Sequence, residues 1–454
     1  MTETNQALRS LSGRRSFFRS AAVIGAGLWA DEMLEALPQN VNRNSKPSEL
    51  KITDLRVAVV QEKGTRWSRP IVRLDTNQGI QGYGEGYLGS SKTYTLVLKS
   101  RLLGENPCNV DRIFRKIKQF GFHARQGSGV SGVEAALWDL AGRAYGAPVY
   151  QMLGGKFRDR IRLYGEGDNS PDPKVYGASL KKRLDEGFTM LKMDLGIGLI
   201  EKVPGALTRP VGLSIADTNL TEHMFTGYEI TDKGMALMCD YMVQVREILG
   251  TEVPLAADHF GHIGVNSCIS LGRALQKFKL AWLEVMVPWN RVDQWKQITD
   301  AIDVPTLTGE DVYLKEGFLP LCKEHAVDMI HPDPQVAGGI LEVKNIGNMA
   351  QEYGIAMNLH CAATPIGYMA AVHAAAATEN FLALEAHTPE PRFWSDMVGG
   401  IEKPIVNKGF IKVPETPGLG ITVNEEVLRP NCAPGFFGPT TEWDNEFSWD
   451  RLWS

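Results

Sequence analysis

No two of the six cysteines in this 454-residue chain form a C-x-x-C pair. That argues against a zinc ribbon and against a disulfide framework, so Cys108, Cys239, Cys268, Cys322, Cys361 and Cys432 are expected to carry no structural bridge. An excess of positive charge is missing as well. Forty-eight basic against 53 acidic residues leave a net charge of −5, which gives no electrostatic footprint for nucleic acid or an anionic membrane surface. The apolar run from Ala21 to Ala30 is too short to span a bilayer. What remains, 43% hydrophobic and 22% charged residues, describes a soluble globular protein long enough for two or three domains.

The first 48 residues differ from the rest. SGRRSFFRSAAVIGAGLWA joins Arg14 and Arg15 to that short apolar run, and the arginine pair, one spacer and Phe17 resemble a twin-arginine export signal. The resemblance implies an exported, periplasmic protein; without export the chain would be cytoplasmic. From 49 to 160 strand-like alternation (ITDLRVAVV, RPIVRLDTNQGIQGYGEG) gives way to helical spacing in VEAALWDLAGRAYGAPVYQMLGG, which predicts an α+β domain.

Between 161 and 395 eight apolar runs end in polar tips: IRLYGEG, FTMLKMDLG, VPLAADHFG, LAWLEVMV, VPTLTGED, VDMIHPDP, IAMNLHCA and FLALEAH. Amphipathic helix-length segments separate most of them, so the pattern predicts an α/β fold with a closed (β/α) barrel, whose strand ends converge at one mouth. The stretch from 196 to 233 is too long for an ordinary βα loop and is expected at that mouth. Residues 396–454 are expected to pack back on the first domain.

Asp258, Glu284 and Glu310 each close one of these runs and stand 26 residues apart. A single Asp there would ordinarily cap the next helix. Three acids in register instead form a hard oxygen site suited to Mg²⁺, because the strand ends supply too few basic partners, chiefly Lys192. Asp333 and His360 follow on the next two runs, 27 residues apart, and Glu385 on the last.

This order resembles the enolase superfamily and, within it, the mandelate racemase subgroup of acid-sugar dehydratases and racemases, over about residues 50–430. The resemblance implies a modified TIM barrel with an N-terminal α+β capping domain, Mg²⁺ on Asp258, Glu284 and Glu310, a small carboxylate substrate and a homo-oligomer. It makes His360 the base that removes the proton α to the substrate carboxylate, oriented by Asp333. Lys192 would neutralise charge on the substrate, and Glu385 would hydrogen-bond it. Trp67, Tyr87 and His262 are candidate substrate-binding residues, with Arg66, His123 and Arg125 on neighbouring loops.

The chain departs from the subgroup at two positions. Asp194 stands where racemases carry a second lysine base, which favours dehydration to a 2-keto-3-deoxy acid over two-base racemisation; a racemase/epimerase or cycloisomerase of a hydroxy acid on the same site is the alternative. Phe260 stands where several dehydratases have an acid, leaving His259 and His262 as substitutes or as helix caps. Two other classes compete: a non-catalytic sugar-acid binding protein, and a binuclear metallohydrolase, which would need a His-x-His pair that YGEGDN lacks.

Overall fold

A computed structural model describes residues 46–88, 90–208, 228–258, 263–387, 390–433 and 437–438. The twin-arginine-like segment and His259, Phe260 and His262 lie outside the described residues. The first sheet among the described residues is an antiparallel meander, β1 (Ile52–Gln61), β2 (Ser68–Thr76) and β3 (Gln81–Glu85). Its inward residues, such as Leu55, Val57, Val72 and Leu74, pack on the helix Ser128–Tyr145. That helix ends at Gly146, whose φ of 70° is the left-handed C-cap that glycine takes without strain.

Eight parallel strands then close on themselves: β4 (Arg160–Glu166), β5 (Leu191–Asp194), β8 (Leu255–Asp258), β9 (Leu283–Glu284), β10 (Thr306–Thr308), β11 (Met329–Ile330), β12 (Ala356–Leu359) and β13 (Phe381–Ala386). Pairing of β13 with β4, Glu385 opposite Tyr164, completes the barrel. The eight polar-tipped runs of the sequence are these eight strands. Between β5 and β8 the long excursion holds a short antiparallel pair, β6 (Leu207–Thr208) and β7 (Glu229–Ile230), with residues 209–227 outside the described set.

After the barrel, β14 (Val398–Gly399) pairs with β16 (Thr422–Val423), and β15 (Phe410–Lys412) adds antiparallel to the start of β4. The same segment also reaches the first domain: Glu425 accepts from Arg73 and Tyr83, and Leu419 N–H donates to Asp139. All six cysteines are free. Among the described residues no helix is long and apolar enough to cross a membrane.

The barrel axis is filled by Tyr164, Met190, Ala256, Trp282, Leu307, Met329 and Ala383, one from each of seven strands or the residue just before it. Strand side chains alternate, so the residue two positions further along points to the same axis, one layer nearer the C-terminal mouth. Those residues are Glu166, Lys192, Asp258, Glu284, Gly309, His331 and Glu385. A plug of rings and methyls therefore lies directly beneath a layer of charge.

Candidate active site

Lys192 sits in the middle of that layer. Its Nζ lies 2.6 Å from Glu385 Oε1, 3.0 Å from Asp258 Oδ2, 3.1 Å from Glu166 Oε1 and 3.2 Å from Glu284 Oε1. Burial works against its charge, but the surrounding carboxylates, Asp258 and Glu284 foremost, hold the ammonium well above the ordinary lysine range. One ammonium thus touches four carboxylates.

Glu284 is held from below as well, since Trp282 Nε1 donates to Oε2 at 2.8 Å. The next residue, Val285, is held at φ 49°, a conformation that a β-branched side chain resists. On β10 the axial slot belongs to Gly309, at φ 138°, where a Cβ would stand 2.6 Å from Phe318. The chain bends there, and Glu310 enters the site from the side with its side chain 31% exposed.

His331 is one of the residues at this mouth that sequence reasoning missed. Its Nε2 lies 3.1 Å from Glu284 Oε1 and 3.7 Å from Glu310 Oε2, yet neither ring nitrogen makes an aligned hydrogen bond. Burial opposes its protonation, but Glu284 and Glu310 outweigh that and push it up to about 9. One ligand atom each from Glu284, Glu310 and His331 falls within 4.8 Å of the others, a grouping able to hold a metal ion. Asp258, expected as the third ligand, is 2% exposed in the same layer and is held by Lys192.

His360 and Asp333 come together as expected, with His360 Nδ1 2.7 Å from Asp333 Oδ2. Nε2 faces the site, 3.4 Å from Glu310 Oε2 and 3.5 Å from Glu385 Oε2. Burial disfavours the imidazolium, but Glu385, Tyr87, Glu310 and Asp333 hold it well above its usual value. Glu310 is pulled down to about 2, because His360 and His331 overcome its burial. Lys192 and His360 do the same for Glu385, which stays well below the carboxylate range.

The first domain supplies the lid. Tyr87 stands with its ring 5.7 Å from that of His360, and Arg125 lies over the same tyrosine at 4.8 Å. Trp67 is further out, edge-on to Phe393, with Arg69 5.2 Å above it. His123 is engaged elsewhere, accepting from Tyr313 N–H. Asp194 is half-exposed at the end of β5 and accepts from Asn169 Nδ2 at 2.8 Å.

Residues 51–154 match the mandelate racemase/muconate lactonizing enzyme N-terminal domain, and residues 176–427 match the enolase C-terminal domain-like family. The chain belongs to the enolase superfamily. Among the members it resembles is a D-xylonate dehydratase of Haloferax volcanii, 31% identical over 85% of this chain and 90% of that protein. A D-galactonate dehydratase of Verminephrobacter eiseniae is 27% identical over 86% and 97%. Of solved superfamily structures, a mandelate racemase/muconate lactonizing enzyme-like protein of Rubrobacter xylanophilus superposes with a TM-score of 0.74 at 30% identity, covering 86% of this chain and 99% of that one. A 3,6-anhydro-D-galactonate cycloisomerase of Zobellia galactanivorans gives 0.70 at 25%, over 84% and 99%.

Proposed function

We propose that the protein is a sugar-acid dehydratase, a hydro-lyase that removes water from an aldonic acid to leave a 2-keto-3-deoxy acid. The observation that carries this reading is the His360–Asp333 pair, whose free Nε2 opens onto the layer of buried carboxylates. The dehydratase names of the relatives support it.

Mg²⁺ fits the residues present. Among the described residues, one lysine and three histidines contact Glu166, Asp258, Glu284, Glu310 and Glu385, and buried His331 Nε2 has no aligned partner beside Glu284. Asp258, Glu284 and Glu310 would hold the ion by oxygen, with His331 alongside as a fourth donor or as the group that orients Glu284. Bound there, Mg²⁺ supplies positive charge that makes the α-proton of a carboxylate substrate more acidic.

The protein residues do the rest. Asp333 fixes the His360 tautomer with the proton on Nδ1, so Nε2 is the atom that takes the α-proton. Lys192 offsets charge that builds on the substrate carboxylate as that proton leaves. Glu385, held ionised, accepts from a substrate hydroxyl. Tyr87 and Arg125 border the outer end of the chain, and Tyr87 shields His360 from water.

A two-base racemase is the weaker reading, since Asp194 is half-exposed and engaged by Asn169. Incubating aldonic and aldaric acids with the Mg²⁺-loaded protein, then trapping with semicarbazide, separates the outcomes. Dehydration gives a carbonyl product that His360→Asn abolishes. A C2 epimer without any carbonyl would refute the dehydratase reading. The arginine pair supports export as a further proposal; retention of wild-type protein in the cytoplasmic fraction, unchanged by Arg14→Lys with Arg15→Lys, would count against it.

A further inference from the structure

Glu166 and His387 are titratable groups at the mouth that the scheme above leaves unused. Both stand where β13 closes on β4. The Glu166 and Glu385 carboxyls meet at Lys192 Nζ, 3.1 and 2.6 Å from it, and Glu166 Oε2 lies 3.7 Å from His387 Nε2. Glu385 Oε2 in turn lies 3.5 Å from His360 Nε2. Exposure rises outward from Glu385, with side chains 1% accessible at Glu385, 14% at Glu166 and 40% at His387, while His360 itself is 9% accessible. The row thus leads from the buried base to water around the side of the substrate space. The two longer gaps close with side-chain shifts of less than about 1 Å.

The electrostatics fix where the proton rests along the row. Burial pushes Glu166 well above the carboxylate range, while Lys192 and His360 hold Glu385 below it, so the pair shares one proton with Glu166 as its resting owner. Lys192 and Asp194 are the other charged groups facing Glu166. Burial pushes His387 down to about 4, with His360, Lys192 and Arg69 adding to the effect and Glu385 opposing it. His387 therefore rests as the neutral imidazole and, once it has taken a proton at the solvent edge, gives it up to water readily.

We propose that Glu385, Glu166 and His387 form a proton relay connecting His360 to solvent, an inference that rests on the dehydratase reading. The Cα–H bond breaks and its proton goes to His360 Nε2. Glu166 gives its own proton to His387 Nε2, and His387 releases one from Nδ1 to water. His360 then returns to neutral by passing its proton to Glu385, which hands it to Glu166. One proton has left Cα and one has entered water; His360, Glu385 and Glu166 are restored, and His387, left with its proton on Nε2, regains the Nδ1–H tautomer by exchange with water.

The test uses the Mg²⁺-loaded protein and an aldonate that it dehydrates, together with the same acid lacking its 3-hydroxyl, which can lose the α-proton but cannot eliminate. In D₂O at low buffer, wild type exchanges the α-proton of the deoxy acid. His387→Ala and Glu166→Gln are expected to slow that exchange at least about tenfold, because His360 then returns the proton it took. Added imidazole should restore exchange to His387→Ala and leave Glu166→Gln slow; a merely structural role for His387 predicts no such rescue. Wild-type exchange rates in His387→Ala, or slow exchange that imidazole leaves unchanged, overturn the relay while the dehydratase reading stands. Absence of a carbonyl product from every acid tried with wild type overturns that reading, and the relay with it.

Discussion

Two sets of buried carboxylates occupy this molecule, one at the barrel mouth and one at the joint between the domains, and they are satisfied in opposite ways. At the joint, Glu134 accepts from the backbone N–H groups of Ile340 and Leu341 and from Trp138 Nε1. Glu85 accepts from the N–H groups of Thr364 and Gly367, and Asp139 from those of Tyr83 and Leu419. Glu85 and Glu134 reach the first turns of the helices Pro365–Ala376 and Ile340–Glu352, where the helix dipole favours negative charge. Gly339 permits this: at φ 101°, a Cβ there would lie 2.0 Å from Glu134 Oε2. At the mouth, by contrast, the carboxylates face one another across a single lysine.

Histidines divide the same way. His373, at the joint, accepts from Tyr150 N–H through Nδ1, and burial pushes it down to about 4. His331, at the mouth, is equally buried yet pushed up to about 9 by its acidic neighbours. Burial alone therefore says nothing about role. A buried ionisable group supplied with its own donors holds the fold together, whereas one short of partners is poised for a ligand.

The sharpest break in the comparison is at Glu284. Glu284→Gln keeps an acceptor for Trp282 but removes one of the crowded charges. Turnover should fall by about 10³-fold or more, while the denaturation midpoint of metal-free protein should not fall. Loss of stability with retained turnover would reverse the assignment of mouth and joint. At the joint the expected result is the converse. Glu134→Ala leaves two helix N–H groups unpaired and should cost about 2–4 kcal/mol in urea unfolding, with turnover per folded molecule near wild type. The smallest effect belongs to His373. Its folded value lies below the ordinary 6.5, so the unfolded chain binds the extra proton; stability is full above about 6.5 and is lost as pH falls towards about 4. His373→Gln should flatten unfolding midpoints across that window, and an unchanged slope would place the acid sensitivity elsewhere.

Much of this architecture was legible in the chain because pleat and repeat are both periodic. The strands showed as apolar runs, and Asp258, Glu284, Asp333, His360 and Glu385 as their polar tips. Glu166 and His331 went unread for different reasons. Glu166 closes YGEG, where the flanking glycines suggest a turn, and His331 lies inside HPDP, where Asp333 drew the role. Both stand two residues beyond a plug residue, Tyr164 and Met329, as Asp258 does beyond Ala256 and Glu284 beyond Trp282. Counting two from each large axial side chain finds them. The same count fails at Gly309, where backbone geometry displaces the acid by one residue, and no periodicity encodes that. The engagement of Asp194 by Asn169 depends on a contact between neighbouring strand ends, which spacing along one strand cannot reveal.

The bond from Trp282 to Glu284 has an optical consequence. The indole is fully buried, stands edge-on to Tyr164 at 5.3 Å and points its N–H at the carboxylate that anchors the site. Its excited state therefore senses the field of the charged layer directly above it. A change in the charge borne by Glu284 should shift its emission, so a spectrofluorimeter can follow loading of the mouth before any substrate is known, and Trp282→Phe supplies the blank.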